Sequence, residues 1–362
     1  MAKKAAKGKT AKLDHAKRLL MSGTERHYVS ARELIRANKD VTDFQVLALQ
    51  DDVKTWIENS DAKVKPIAFL EDIINRAKEI ETAIADGKWH ARAIVAHAFR
   101  YGGRLNKARN LYARAKREMG AFKKDGSDAD RERADVLADY VEFWAYLGYS
   151  AQAEDTFSLI PNKLQKGWRV WVQAFVQHQA AFTDIFPTVR PAVPIGEIAR
   201  YREAISLLGK ARLKGGDEVD NLSPKEIADT YLLELACWGG IYRRLTVDGA
   251  SDDKLEPVLK SIKKAKKEFI NRKDAEVNLF WSWKKELRGQ IARRWVEGVD
   301  SPTNSAGKAA TAEWRGVLAD HYRLNLAAAG IGEDASGGKP GFTPPDFADG
   351  ETLKGDDPGD DD

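Results

Sequence analysis

The glycine pair Gly102-Gly103 stands between two strongly helical runs, WHARAIVAHAFRY before it and LNKARNLYARAKREM after it. Because glycine lacks a Cβ and accepts backbone conformations that other residues avoid, the pair predicts a tight turn between two antiparallel helices. Gly148 stands 45 residues after Gly103 and again separates two helical runs. A turn that recurs in this way predicts helical hairpins stacked on one another.

The residues around both turns share a second pattern. An aromatic residue precedes each glycine by four positions, an alanine follows it by five, and another aromatic follows that alanine by four. Small residues let helices approach closely, and aromatic rings fill the space to the next hairpin. The positions concerned are Phe99, Ala108, Tyr112, Trp144, Ala153 and Phe157.

This pattern resembles the tetratricopeptide repeat (TPR) family. The first unit, at about residues 89–122, matches the family's small, aromatic and glycine positions at Ala96, Phe99, Gly103, Ala108, Tyr112 and Ala115. The second unit, at about residues 134–162, departs from the series at Val141 and Ile160. The resemblance implies an all-α fold, a right-handed superhelix of stacked antiparallel helix pairs that is called a TPR-like α-solenoid.

Two further units match the family more weakly. Residues 167–182 predict the first helix of a third unit, and its second helix is indicated by Tyr201, Ala204, Leu208 and Ala211. Ser223 and Pro224 predict the start of a fourth unit, because serine caps helices and proline is tolerated in their first turn. We expect that helix to end at Gly239-Gly240 and residues 254–271 to return beside it. No alternating β-branched pattern predicts a strand.

Charge and composition divide the chain into five parts. We predict a disordered basic arm, an N-terminal helical region, TPR-like repeats, C-terminal capping helices and a disordered acidic tail, at residues 1–12, 13–88, 89–272, 273–330 and 331–362. The tail carries ten Asp and Glu against two Lys, so its net charge of −8 opposes +12 on the rest of the chain. We expect the tail to fold back and to compete weakly with polyanions at low salt.

A search for chemical motifs leads to the prediction of a protein without enzyme activity, metal or cofactor. His90 and His97 lie two turns apart on one predicted helix, too far to ligate one metal ion by themselves. The single cysteine, Cys237, excludes an internal disulfide and predicts a buried thiol in a cytoplasmic protein. No apolar run reaches the roughly 18 residues of a membrane-spanning helix, so we expect no membrane partner.

The family resemblance also implies a groove. In that family the first helices of the pairs line a concave surface, where partner peptides usually lie. The lysine-asparagine arrangement with which some members clamp a C-terminal carboxylate is not reproduced, because Ala93 and His97 stand at the matching positions. Transferring the family's groove positions to this chain gives His90, His97, Arg100, Glu142, Tyr146, Lys166, Arg169 and Gln173.

Basic residues concentrate in the N-terminal arm and in the stretch from Lys260 to Arg294. The second stretch holds twelve Lys and Arg against four Asp and Glu, with aromatic residues among them. Cations neutralise phosphate and aromatic rings stack on unpaired bases, which favours a nucleic-acid surface. The alternative is a helix with an apolar core stripe and a solvated lysine face. The candidates for binding a polyanion are Lys3, Lys4, Lys7, Lys9, Lys263, Lys264, Lys267, Lys284, Lys285 and Arg288.

Three interpretations of function follow. The favoured one is a non-enzymatic scaffold or adaptor that binds another protein in the cytoplasm through its helical-repeat surface. The second is a nucleic-acid or ribonucleoprotein-binding protein that uses the basic arm and the basic, aromatic stretch. The third is a structural subunit of a larger assembly, with Trp281, Trp283 and Trp314 as interface anchors.

Overall fold

The structure, a computed structural model, describes residues 2–21, 25–39, 42–58, 67–101, 104–123, 127–146, 149–183, 196–213, 221–271, 325–326 and 328–330. All the regular elements of these residues are helical, which confirms the predicted all-α class. A short 3-10 turn lies at Asn162–Leu164. The α-helices are α1 (Ala2–Met21), α2 (Glu25–Arg36), α3 (Thr42–Glu58), α4 (Ile67–Ala83), α5 (Trp89–Tyr101), α6 (Leu105–Glu118), α7 (Asp128–Tyr146), α8 (Ser150–Phe157), α9 (Trp168–Thr183), α10 (Ile198–Ala211), α11 (Pro224–Val247) and α12 (Asp252–Asn271).

The two turns predicted from the glycine pattern close in the same way. The backbone N–H of Arg104 donates to the carbonyl oxygen of Phe99 at 2.9 Å, and that of Tyr149 donates to Trp144 at 3.0 Å. Each bond spans five residues, as in the closing bond of a helix end that contains glycine. The glycines themselves lie outside the described residues. The equivalent bonds show that the first two units are built alike.

The helices pack as successive hairpins. Helices α3 and α4, α5 and α6, α7 and α8, α9 and α10, and α11 and α12 each pack together, and the first helices also touch their successors from α3 to α11. One continuous apolar core extends from α3 to α12, and a smaller cluster joins α1, α2 and α3. The first helices therefore form a continuous layer, in which each contacts the next.

Aromatic side chains fill the joints between hairpins, as the sequence predicts. The ring of Tyr112 on α6 stacks on that of Tyr140 on α7 at 5.2 Å between centroids, and lies 5.6 Å from Phe143. Tyr112 and Phe143 are almost completely buried. The alanines of the first unit are fully buried as well, so helices approach closely where the pattern places small residues: Ala96, Ala108 and Ala115.

Helix α11 differs from its prediction in length. Ser223 caps its start with a capping box to Glu226, as expected, but the helix continues through Gly239 and Gly240 to Val247. A Cβ on Gly239 would collide with the backbone carbonyl oxygen of Asn325, and one on Gly240 with the ring of Tyr201. These glycines therefore permit close packing and do not end the helix.

The N-terminal segment contains a helix. Helix α1 begins at Ala2 and continues to Met21, and it includes most of residues 1–12, for which the sequence predicts a disordered arm. Alanine, lysine and leucine are strong helix formers, and this propensity outweighs the low apolar content. Ala16 anchors the far end of α1 in the small cluster with Ile35, Phe44 and Leu47.

Most of the predicted capping region and the whole acidic tail lie outside the described residues. Residues 325–330, without 327, are the part of this region that the structure describes. Leu326 and Ala329 are buried in the main core, and the amine of Lys266 on α12 donates to the carbonyl oxygen of Gly330 at 2.8 Å. This short segment therefore packs against α11 and α12.

Candidate functional site

One side of α7 carries a row of carboxylates, here called the α7 acidic stripe. Its members follow one another at intervals of four, three, four and three residues, so they share one face of the helix. They are Asp128, Glu132, Asp135, Asp139 and Glu142. Glu132 is exposed, and side-chain exposure falls from 94% at Asp128 through 57% at Asp135 and 33% at Asp139 to 8% at Glu142. Four members are thus accessible and the last belongs to the core.

Helix α5 places two histidines beside this stripe. Nδ1 of His97 lies 3.6 Å from Oδ2 of Asp139. Burial lowers the pKa of His90, the charge of Glu132 raises it by less, and Lys17 of α1 lowers it further. His90 is therefore neutral near pH 7 and does not offset the negative charge of Glu132.

Arg100 and Glu142 form a buried ion pair at the interface between α5 and α7. Nη2 of Arg100 lies 2.9 Å from Oε2 of Glu142, and Nη1 donates to the carbonyl oxygen of Asp139 at 3.2 Å. The two side chains are 1% and 8% exposed. Buried charges are tolerated when they are paired and hydrogen-bonded. Two residues predicted for the groove thus hold neighbouring hairpins together.

Arg169 makes the corresponding joint between α7 and α9. Its Nε lies 2.7 Å from Oδ1 of Asp135, and its Nη1 donates to the carbonyl oxygen of Leu164 at 2.9 Å. The side chain of Arg169 is 7% exposed, whereas Lys166 and Gln173 beside it are half-buried. The side chain of Tyr146, the remaining groove residue of the prediction, lies outside the described part of the structure.

The predicted polyanion-binding residues are described in part. Lys263, Lys264 and Lys267 are exposed on α12, while Val258, Ile262, Ala265 and Phe269 form the buried stripe of the same helix. This is the arrangement of a core stripe with a solvated lysine face. Lys284, Lys285 and Arg288 lie outside the described residues, as do the side chains of Lys3, Lys4, Lys7 and Lys9.

A buried polar cluster that the sequence does not indicate joins α9, α10 and α11 to residues 325–330. Nδ2 of Asn325 lies 3.2 Å from Nε2 of His178 and donates to the hydroxyl of Tyr201 at 3.1 Å. Nη1 of Arg243 donates to Oδ1 of Asn325 at 2.8 Å. Asn325 stands 147, 124 and 82 positions from these partners, so no local pattern connects them.

Burial keeps His178 and Tyr201 uncharged, whereas the guanidinium of Arg243 keeps its charge although burial lowers its pKa. Burial lowers the pKa of His178 to about 3, and it raises the pKa of Tyr201 against the opposing effect of the Asn325 hydrogen bond. Burial, together with the charge of Glu234, raises the pKa of Cys237 well above its ordinary value. At neutral pH the cluster offers neither a thiolate nor an imidazolium. Cys237 is the buried thiol that the sequence predicts.

A cleft of about 440 Å³ lies between α2, α3 and α4. Asp52 is at its centre, with Oδ1 3.0 Å from Nη2 of Arg32 and Oδ2 2.7 Å from Nη1 of Arg76. Arg32 also reaches Asp51 at 3.0 Å. These contacts tie the three helices together, so we assign the polar groups of the cleft to the fold.

Within the described ranges, no group of three or more His, Cys, Asp or Glu is arranged to hold a metal ion. None of the helices described here is both long and apolar enough to cross a membrane. Comparisons of the chain with family models, curated proteins and solved structures found no match. Membership of the tetratricopeptide repeat family therefore stays a prediction.

Proposed function

We propose that this protein is a non-enzymatic interaction scaffold that binds a segment of another protein on the exposed part of the α7 acidic stripe. One observation carries the proposal: Asp128, Glu132, Asp135 and Asp139 remain accessible in a row on the layer of first helices. A row of charges at fixed helical spacing suits the recognition of an extended or helical partner.

The charges around the stripe favour a basic partner. Burial keeps His90 neutral, and the buried cations of Arg100 and Arg169 are paired with Glu142 and Asp135. At the exposed end of the stripe, Asp128 pairs with Arg131 at 3.2 Å, and the neighbouring Glu132 faces solvent with negative charge. A segment rich in Lys and Arg is steered to such a surface and pairs with it at the rim.

The joints between hairpins support this function by fixing the surface in advance. Arginine-carboxylate pairs join α5 to α7 and α7 to α9, with the arginine buried in both, and Arg212, which follows α10, pairs with Glu234 of α11 at a joint farther along the stack. A surface that is already ordered loses little conformational entropy when a partner binds. Arg100, Glu142 and Arg169, which were predicted for the groove but are buried, thus hold the accessible carboxylates of the stripe in fixed positions.

The test is selection of binders from a phage-displayed peptide library on the full chain. We expect the enriched peptides to be rich in Lys and Arg. Replacing Glu132→Lys and Asp139→Lys together should weaken the selected peptides by about ten-fold or more at low salt, because two attractive contacts become repulsive. The matched control is Asp155→Lys with Glu203→Lys, which reverses two exposed carboxylates on α8 and α10.

Circular dichroism of both variants verifies that the helices are retained. Peptides that bind both variants and the unaltered chain equally well would contradict the proposal. So would a selection in which no basic peptide is enriched. We place the scaffold in the cytoplasm, because a single buried cysteine suits a reducing compartment.

A second candidate function is nucleic-acid binding through α12. It is favoured by Lys263, Lys264 and Lys267, which are exposed on one side of that helix. Binding of a fluorescent oligothymidylate should then fall steeply as salt rises, since phosphate contacts release counterions. Replacing the three lysines with glutamate should abolish the binding, and an unchanged affinity would dismiss this candidate.

A further inference from the structure

The position of Gly330 defines where the acidic tail begins. The carbonyl oxygen of Gly330 accepts a hydrogen bond from the amine of Lys266 at 2.8 Å, and the preceding Ala329 is 3% exposed in the core. The tail, residues 331–362, therefore begins directly beside the second half of α12. It carries ten Asp and Glu against two Lys.

This part of α12 is strongly basic. The stretch from Pro257 to Lys267 contains five lysines and no carboxylate, and Glu268 follows it. Lys260 pairs with Glu256 at 2.9 Å, and Lys266 is held by Gly330. The other three are exposed and have no ion pair within the part of the chain that the structure describes: Lys263, Lys264 and Lys267.

Apolar side chains lie at both ends of this lysine group. Leu259 and Ile270 are 39% and 40% exposed, and with Lys263 and Lys267 they follow one stripe of the helix at intervals of four, four and three residues. We name this surface, Leu259 to Ile270 with the lysines between them, the α12 lysine face. An occupant that suits it combines carboxylates with a few apolar groups.

We propose that the α12 lysine face is the docking site of the chain's own acidic tail. The tail offers carboxylates to the lysines and apolar side chains to Leu259 and Ile270. Three of its larger apolar residues stand near its acids: Phe342, Phe347 and Leu353. The docking makes the tail a built-in competitor for any other polyanion at this face. This inference does not depend on the proposed partner site on α7.

The tail is long enough to reach the whole α12 lysine face. At roughly 3.3 Å per residue, sixteen residues from Gly330 to Asp346 span up to about 50 Å, whereas a helix of twenty residues is about 30 Å long. Each acidic group from Asp346 onwards can therefore meet the lysine face without moving Gly330. Because the tail is tethered beside the face, its effective concentration there is on the order of millimolar, which compensates for weak individual contacts.

The test is zero-length carbodiimide cross-linking of the full chain, read by mass spectrometry. This reagent joins a lysine amine to a carboxylate that touches it. We expect amide links from Lys263, Lys264 and Lys267 to carboxylates of the tail, and their loss at about 0.5 M salt, where charges farther apart than a few ångströms are screened. A mixture of ¹⁵N-labelled and unlabelled protein identifies links within one chain.

Charge-reversal variants test whether the tail binds the α12 lysine face specifically or is attracted to any basic surface of the protein. Lys263→Glu, Lys264→Glu and Lys267→Glu together should reduce the remaining links from Lys260 and Lys266 to the tail by about five-fold or more, because attraction becomes repulsion. The control reverses three exposed lysines elsewhere, Lys39, Lys123 and Lys210, and should leave those links unchanged. Both variants change the net charge equally.

Three results would overturn the proposal. The first is linkage of the tail to other surfaces, or no linkage of the tail at all. The second is linkage of the α12 lysines only to carboxylates of residues 272–324, which would make that segment the occupant. The third is linkage only between labelled and unlabelled chains, which would make the occupant the tail of a second copy.

Discussion

Two joints of the same helical stack are built on opposite electrostatic plans. Between α5 and α7 the joint is charged, with Arg100 and Glu142 in contact at 2.9 Å and nearly excluded from solvent. Between α9 and α11 the central side chains are the uncharged His178 and Tyr201, which both contact Asn325. The cation of Arg243 donates to the amide oxygen of Asn325. We call this the neutral joint after its central pair. The first joint needs only neighbouring hairpins, whereas the second needs a residue from a distant part of the chain.

The two joints differ in the sequence distance between the residues that they bring together. A charged joint can be repeated from unit to unit, as Arg169 with Asp135 and Arg212 with Glu234 illustrate. The neutral joint adds a long-range contact that neighbouring units cannot supply, so it anchors the segment that precedes the acidic tail. We expect the loss of either joint to lower the free energy of unfolding.

The largest expected effect is at the charged joint. Arg100→Met leaves Glu142 buried without its guanidinium, which should lower the free energy of unfolding by about 3–5 kcal/mol. Urea denaturation followed by circular dichroism measures this loss. The double variant Arg100→Met with Glu142→Leu should recover most of it, because a buried ion pair and an apolar pair of similar volume are often equivalent.

A surface control calibrates that experiment. Arg114 pairs with Glu118 and Asp86, but its side chain is 46% exposed. Arg114→Met should therefore cost less than about 1 kcal/mol. If Arg100→Met costs no more than this control, the charged joint does not hold the hairpins together.

The next effect is at the neutral joint. Gly239→Ala places a Cβ against the backbone of Asn325, and such overpacking costs about 1–3 kcal/mol in the free energy of unfolding. Asn325→Ala in the same background should add less than it costs alone, since the alanine at position 239 has already disturbed the contact. Full additivity of the two losses would show that Gly239 and Asn325 are independent.

Acid should weaken the neutral joint through His178. Its pKa is about 3 in the folded chain and 6.5 in the unfolded chain, so the unfolded state binds the extra proton between these values. The stabilising contribution is complete above pH 6.5 and falls with the pH, at up to about 1.4 kcal/mol per pH unit. His178→Gln should flatten the unfolding free energy between pH 6.5 and 5. An unchanged slope would contradict the neutral, buried state of His178.

The smallest effect has the opposite sign. Gly209 lies in α10, and a Cβ added there meets nothing within 4 Å. Gly209→Ala should raise the free energy of unfolding by about 0.4–1 kcal/mol, because it restricts the unfolded chain and creates no clash. Thermal or urea denaturation beside Gly239→Ala then compares the same substitution in an open and a closely packed helix. A loss of stability at Gly209 would contradict the open packing.

The hairpins of the first two units could be predicted because their signals are local. The bounds of α5 agree with the prediction, and the aromatic at position 112 fills the joint to α7 as the repeat pattern indicates. The groove itself stays a prediction, and helical spacing alone does not tell which of its candidate residues are accessible. Arg100 and Arg169 have the spacing of groove residues, and only their neighbours across the joint decide that they are buried in ion pairs.

The sequence by itself determined the all-α class, the starts of α5, α6 and α11, the buried Cys237 and the lysine side of α12, since helical periodicity, caps and propensity act over a few residues. Tertiary structure alone decided that α11 continues through Gly239 and Gly240, and that Asn325 joins His178, Tyr201 and Arg243. Those outcomes depend on contacts between residues 82 to 147 positions apart. Glycine at a turn and glycine at a close helix contact read alike in sequence, because in both places the requirement is the missing Cβ and only the packed neighbour tells them apart.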